Sequence, residues 1–315
     1  MPAVIDKEQL KRTAAVLASL PDLPSIDYCS GLFPPEGDPT APDYFFAVTL
    51  HQYGFWYDDG NKYTRPMYAV LEGEERKGSD FLFGAFARAA RREPDFLLPR
   101  VQSRITDGRL AELLADDSGI CPLPLLSTHG RLARGYGADI VARGLRPGAL
   151  LAAANSSPDP LKTFLDLAGS LTGYREDPFR KKILLLALIL SNRPERFLSA
   201  ADSRHWSPIV DYHNLRCALR LGLVEVRDRD LSAKLAARTF VSGEEEFLLR
   251  KLVWEAVREM IAVSGRSVGQ VDALLFRARR SCPEMTEPDC PSCIFGGVCR
   301  RRTELFQPVY RTTFY

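Results

Sequence analysis

Four of the chain's seven cysteines, Cys282, Cys290, Cys293 and Cys299, fall within eighteen residues, with seven, two and five residues between successive members. Thiolates at this density repel one another unless a soft cation neutralises them, so the spacing points to a metal site. A disulfide framework would spread its cysteines over a short secreted chain, whereas Cys29, Cys121 and Cys217 stand apart in a chain of 315 residues. A redox-labile pair, Cys290 with Cys293, is the alternative chemistry for the central Cys-x-x-Cys. Zinc ribbons show two separated knuckles. Here a single knuckle, Cys290-Pro-Ser-Cys293, is flanked on each side by one further ligand, which favours a 4Fe-4S cluster and leaves zinc as the alternative.

Composition narrows the setting. With 45% hydrophobic and 26% charged residues the chain can bury a sizeable core. The N-terminus has no basic start followed by an apolar run, and no stretch approaches membrane-spanning length, so a cytoplasmic protein without a membrane partner is expected. A net charge of +2 gives no global attraction to polyanions, which weighs against a protein that scans duplex DNA electrostatically.

Helical periodicity dominates the pattern, with apolar residues at helical intervals over 6–20, 79–92, 161–172, 179–192, 211–222, 244–263 and 268–280. Ser242 with Glu245 predicts a capping box, and Gly222 predicts a helix stop. Only Tyr44 to Val70, with FFAVTL and YAVL around a DDGNKYTRP turn, reads as a short strand pair. Ser30 to Pro42, rich in proline, reads as an ordered loop. The arginines around the cysteines (Arg277, Arg279, Arg280, Arg300, Arg301, Arg302) form the most basic local patch, suited to phosphate or to the negative charge of a thiolate-ligated cluster.

A second segment carries chemistry. Ile209 and Val210 deliver Asp211 to a helix start, where the dipole and unpaired amides keep a carboxylate ionised. An N-cap aspartate is ordinarily structural. The run Val-Asp-x-His-x-x-Arg-x-x-x-Arg-Leu-Gly-Leu-Val from Val210, however, resembles the catalytic-aspartate segment of the helix-hairpin-helix DNA glycosylases. The cysteine loop closely resembles the iron-sulfur loop of their endonuclease III and adenine glycosylase branch, with the first interval one residue longer here, and it follows the aspartate in the order that family uses. The resemblance implies a mainly α fold of helix-hairpin-helix glycosylase type with a C-terminal iron-sulfur loop and a short β-hairpin in the N-terminal half. Residues 1–275 would form a helical core of two interleaved subdomains, and 276–315 the cluster loop and tail. It also implies that Asp211 stabilises an oxocarbenium-like sugar, and that a lyase would use Lys181 or Lys182 as its Schiff-base nucleophile. Read from the residues, these two lysines open an apolar helix, and the simpler reading is side chains that extend into water. The Gly-x-Gly hairpin with which that family grips DNA phosphate is absent, since Gly173 is the one glycine between Thr172 and Asp211.

A further resemblance covers residues from about 25 to 275. The blocks YFFAVTLHQYGFW (Tyr44–Trp56), Lys77-Gly-Ser, Phe86-Ala-Arg-Ala-Ala90, Phe179-Arg-Lys-Lys182, Val210-Asp-Tyr212 and Gly243-Glu-Glu-Glu246 are similar to segments of the queuosine-salvage N-glycosylases, which lack a cysteine cluster. Phe55 and Trp56 offer flat faces on which a nucleobase can stack, and His51 and Asp58 offer groups to read its edge. Tyr212 and His213 flank Asp211 and would border the same pocket, whereas His129 and His205 have no company that suggests a site. The resulting expectation is an N-glycosidase for a modified purine nucleoside or nucleotide of 7-deazaguanine type. A base-excision DNA glycosylase and a non-catalytic DNA- or RNA-binding protein are the alternatives.

Overall fold

The computed structural model describes every residue except Ser30, Ala201 and Asp202, so the first residue of the expected Ser30–Pro42 loop lies outside the described residues. In chain order, β1 (Ala3–Ile5) and α1 (Lys7–Ser19) lead to α2 (Ala41–Thr49), then to the short strands β2 (Trp56–Asp58), β3 (Tyr63–Pro66), β4 (Tyr68–Leu71) and β5 (Glu74–Lys77). Seven helices follow: α3 (Gly78–Arg92), α4 (Pro99–Gln102), α5 (Asp107–Leu113), α6 (Leu126–Ala142), α7 (Pro147–Asn155), α8 (Pro160–Leu167) and α9 (Lys181–Asn192). The remainder comprises α10 (Tyr212–Leu221), β6 (Val224–Val226), α11 (Arg229–Ala237), α12 (Gly243–Ser264) and α13 (Val268–Ala278). The protein is mainly α-helical, and no helix among the described residues is long and apolar enough to cross a membrane.

Two compact units interleave along the chain. The first combines residues 1–25, 57–65 and 207–311, and the second 26–56, 66–206 and 312–315. In the first unit the long α12 packs on α1, α10 and β1, while β1 pairs antiparallel with β6, Ala3 opposite Val226 and Ile5 opposite Val224. The capping box at Ser242 is present in both directions, Glu245 N donating to Ser242 Oγ at 3.1 Å and Ser242 N to Glu245 Oε2 at 2.7 Å. Gly222 ends α10 at φ 81°, and an added Cβ would stand 2.5 Å from Arg300 Cγ. Only glycine permits both that dihedral and that approach.

The second unit is built around α2, which packs on α3, α7 and α9. Here the structure corrects the sequence reading, because FFAVT lies in α2 rather than in a strand. Phe45, Phe46 and Val48 are all 0% exposed, so the helix is apolar on every side and its periodicity is hidden. YAVL does form a strand, but its partner is Glu74–Lys77, with Tyr68 opposite Lys77 and Leu71 opposite Glu74. Helix α6 has no sequence signal either, because Gly130, Gly135 and Gly137 interrupt it. These glycines serve close packing, since a Cβ on Gly137 would fall 2.4 Å from Ser103 N and 2.5 Å from Pro99 O.

Candidate functional site

Helix α10 organises the first unit's chemistry. Its N-cap, Asp211, takes His213 N at 2.8 Å and Asn214 N at 3.0 Å on the single oxygen Oδ1, and Asn214 Oδ1 returns a bond from Asp211 N at 3.1 Å. Buried Arg250 of α12 donates to Val210 O at 3.3 Å and so fixes the approach to this cap. Oδ2 takes no hydrogen bond among the described residues, and the residue is half-buried. The result is an immobilised carboxylate with one oxygen spoken for and one available.

One turn and two turns further on, α10 turns buried guanidiniums toward the cysteine loop. Arg216, 2% exposed, donates to Gln307 Oε1 at 2.8 Å and to Cys282 O at 3.4 Å, and its Nη2 lies 3.2 Å from His213 Nδ1. Glu284, 3% exposed, stands 4.0 Å from Arg216 and accepts a hydrogen bond from Tyr63 OH. Burial, then the Glu284 and Asp211 carboxylates, push the Tyr212 phenol well above its ordinary range, so it remains a proton donor. The Tyr63 phenol is raised too, by burial and Glu284. His213 is buried against Tyr212, ring centroids 4.0 Å apart. The Arg216, Glu284 and Tyr63 network thus connects the cap region of Asp211 with Cys282.

Arg220, 4% exposed, donates to Leu305 O at 2.9 Å, Pro283 O at 3.0 Å and Cys282 Sγ at 3.2 Å. Arg301 N donates to Cys299 Sγ at 3.3 Å. Burial and the neighbouring thiols raise the pKa values of Cys293 and Cys299, each acted on by Cys282 and Cys290, which shows that the loop gathers all four sulfurs into one electrostatic neighbourhood. Cys217 joins them. Its thiol is pushed up by burial first, then by Cys282, Cys293 and Cys299, so a cysteine that stands alone in the sequence lies on α10 beside the cluster loop. Among the described residues no three His, Cys, Asp or Glu side chains converge closely enough to enclose an ion. The donor chemistry still fits a soft metal, since four thiols share a loop and N–H donors already reach two of the sulfurs, the contacts that support thiolate ligands.

The loop closes through Gly296, where a Cβ would lie 2.4 Å from Cys290 O and 3.1 Å from Cys293 O. Gly296→Ala is therefore expected to force the two carbonyls apart at a cost of about 1–3 kcal/mol, read as a lower Tm, while Gly297→Ala, whose Cβ would meet nothing within 4 Å, leaves Tm unchanged. Equal melting of the two variants would show that the loop does not close as described. Of the basic residues, Arg300 pairs with Asp6 at 3.1 Å, Arg302 with Glu304 at 2.6 Å, and Arg279 lies 3.7 Å over the Phe276 ring. Exposed Arg277, Arg280 and Arg301 have no carboxylate partner among the described residues.

Asp58 also belongs to the first unit, where Arg311 holds its carboxyl below the usual range and Gly60 N donates to it at 2.9 Å. The neighbouring Asp59 closes the turn by accepting Asn61 N and Lys62 N, both at 2.9 Å.

The second unit holds the other expected residues. Phe55 is 4% exposed and packs over Gly78, whose Cβ would lie 3.1 Å from the phenylalanine Cβ, while Trp56 is half-buried. The lysines correct the expectation of side chains in water. Lys181 and Lys182 are 6% and 1% exposed, and their ammonium groups donate to Gln52 O at 3.0 Å and Leu50 O at 3.1 Å. His51, expected to read a base edge, is 0% exposed and faces His129, which acquires a partner that sequence could not assign. His205 lies 3.2 Å from Asp159.

Glu284, Tyr63, Gln307 and Cys217 escaped the sequence reading because their association depends on chain closure over as many as 221 positions, as between Tyr63 and Glu284. Arg216 and Arg220 did leave a signal, two arginines four apart on one helix face and flanked by Leu215, Cys217, Leu219 and Leu221, where a charge is out of place unless something buried receives it. No family model matches the chain, and no curated protein matches it.

Proposed function

We propose that this protein is an N-glycosidase of helix-hairpin-helix glycosylase type that releases a modified purine from a nucleoside or nucleotide. The observation that carries the reading is the half-buried Asp211, whose Oδ1 is fixed by two main-chain N–H groups while Oδ2 accepts nothing from the described residues. Cleavage of an N-glycosidic bond develops positive charge on the sugar, and an anion that cannot reorient stabilises that charge without reorganisation cost. The open oxygen can also orient the attacking water. Tyr212 and His213, adjacent on the same helix turn, supply a phenol that stays protonated and a buried imidazole at the border of such a site. Lys181 and Lys182 are committed to main-chain carbonyls, which favours attack by water over Schiff-base formation. Cys282, Cys290, Cys293 and Cys299 would hold a 4Fe-4S cluster that braces the loop against α10, with zinc as the other metal suited to four thiolates.

Exposed Arg277, Arg280 and Arg301, which have no carboxylate partner among the described residues, favour a second reading as a base-excision DNA glycosylase. The deciding comparison is chromatography of bases released from a panel of free nucleosides and 5′-monophosphates and from duplexes carrying the same modified bases. Release from the free compounds, without a borohydride-trapped adduct, is the expected result. Activity confined to duplexes transfers the reading to DNA repair, and no release from either removes the N-glycosidase assignment.

A further inference from the structure

Within the second unit, two histidines meet in a sealed interior. His51 follows α2 and His129 lies in the first turn of α6, and both are 0% exposed. Their Nδ1 atoms are 2.9 Å apart. Such an N–H···N bond requires one ring to donate and the other to accept, so the pair shares a single proton at that point. Aromatic rings close the site on two sides, Tyr53 stacked on His129 at 4.3 Å and 17°, and Phe86 of α3 at 5.3 Å from His51. Both Nε2 atoms are buried without a hydrogen-bond partner among the described residues, as is Tyr53 OH.

This arrangement favours neutral imidazoles. A second proton on the accepting ring would set two N–H groups against each other across 2.9 Å, and one on the donating ring would charge a buried Nε2 with no acceptor. The surroundings oppose charge as well. From α9, Lys182 acts on both imidazoles and lies 5.1 Å over Tyr53, while Lys181 beside it reaches Gln52 O. Asp177, before α9, accepts Lys181 N at 2.8 Å, and Arg131 of α6 acts on the Tyr53 phenol. From α3 the facing group is the apolar Phe86. Among the described residues no carboxylate acts on either imidazole, and only the Pro124 carbonyl favours proton uptake, at His129. Burial therefore drives both imidazoles well below their ordinary value of 6.5, reinforced by His129 and Lys182 at His51 and by Lys182 at His129.

We propose that His51 and His129 form an acid-sensitive lock in the second unit, holding the segment from Leu50 to Gly54 against α6 while both rings are neutral and releasing it once they take up protons. This inference is independent of the N-glycosidase reading, since it concerns the conformational equilibrium of the unit and no substrate. The sign follows from linkage. The opened state binds protons below pH 6.5 and the closed state only at much lower pH, so the closed form is fully favoured above 6.5 and loses ground as pH falls. Each imidazole can contribute up to about tenfold per pH unit to the opening constant.

The test is amide hydrogen exchange of Gln52, Tyr53 and Gly54 between about pH 7.5 and 5, corrected for intrinsic exchange, in the full chain and in His129→Gln. The wild type is expected to show an opening constant that rises steeply below pH 6.5, and the variant, with a single buried imidazole left, a rise that is shallower by up to about tenfold per pH unit. Equal pH dependence in both proteins overturns the proposal. Should the variant fail to fold, NMR of the wild type with labelled imidazoles decides the matter, because the chain has only four histidines. Two rings that stay neutral below pH 6.5 for as long as the protein is folded support the lock, and four that titrate in the folded protein overturn it.

Discussion

Protein purified without oxygen is expected to be brown, to absorb broadly through the visible, and to contain about four irons per chain. Replacing Cys293 by Ser should reduce the bound metal to below about a tenth of that content and lower the yield of soluble protein. The size of this effect follows from where the loop is anchored. Main-chain bonds run from Arg300 N to Leu221 O at 3.2 Å and from Arg302 N to Arg220 O at 3.1 Å, and Gln9 Nε2 bridges Leu221 O at 2.9 Å and Val298 O at 2.6 Å. A loop that loses its metal therefore disturbs the end of α10 and the start of the chain together. The raised thiol pKa values of Cys293 and Cys299 bear on the same result, since binding must displace their protons and metal uptake should weaken as pH falls. Colourless protein with about one zinc per chain would replace the cluster by the other soft metal, and protein with neither metal would leave the cysteines as thiols.

Much of the helical pattern and the outline of the site could be read from the chain because they rest on local signals. The capping box at Ser242, the Gly222 stop and the Asp211 cap each depend on residues within one turn, and each forms as expected. Local signals failed where tertiary packing supplies the information. Helix α2 is apolar all round because it is enclosed, so its sequence is indistinguishable from a buried strand. The glycines of α6 read as breaks, although they are contact points for Ser103, Asp107 and Thr172. Lys181 and Lys182 read as solvent-seeking ends, yet two main-chain carbonyls of the 50–52 segment receive their ammonium groups in the interior. For the site, the residue types were legible and their partners were not. Four clustered cysteines identify themselves, while nothing local announces that Cys217 stands beside them or that Tyr63 meets Glu284 of their loop.

Asp211→Asn is expected to retain the fold and to lower base release by about a hundredfold or more. Asparagine caps helices as well as aspartate does, and its Oδ1 can accept the bonds now made by His213 N and Asn214 N at 2.8 and 3.0 Å. Helix α10 therefore remains in register, and with it Arg216 and Arg220 and their contacts to Cys282 and Gln307. What disappears is the negative charge on an oxygen that no described residue engages. If that charge faces a developing oxocarbenium ion, the loss appears in turnover while ground-state binding is preserved, because the substrate carries no such charge before the bond breaks. Asp211→Ala separates the two roles further. It removes the cap along with the charge, so it should cost about 1 kcal/mol in stability in addition to the rate, measured as a lower Tm that Asp211→Asn does not share. Single-turnover base release and the melting curve of each variant supply the comparison. Near-normal release by Asp211→Asn, with its Tm intact, would reduce Asp211 to a helix cap and leave the proposed glycosidase without its charged group.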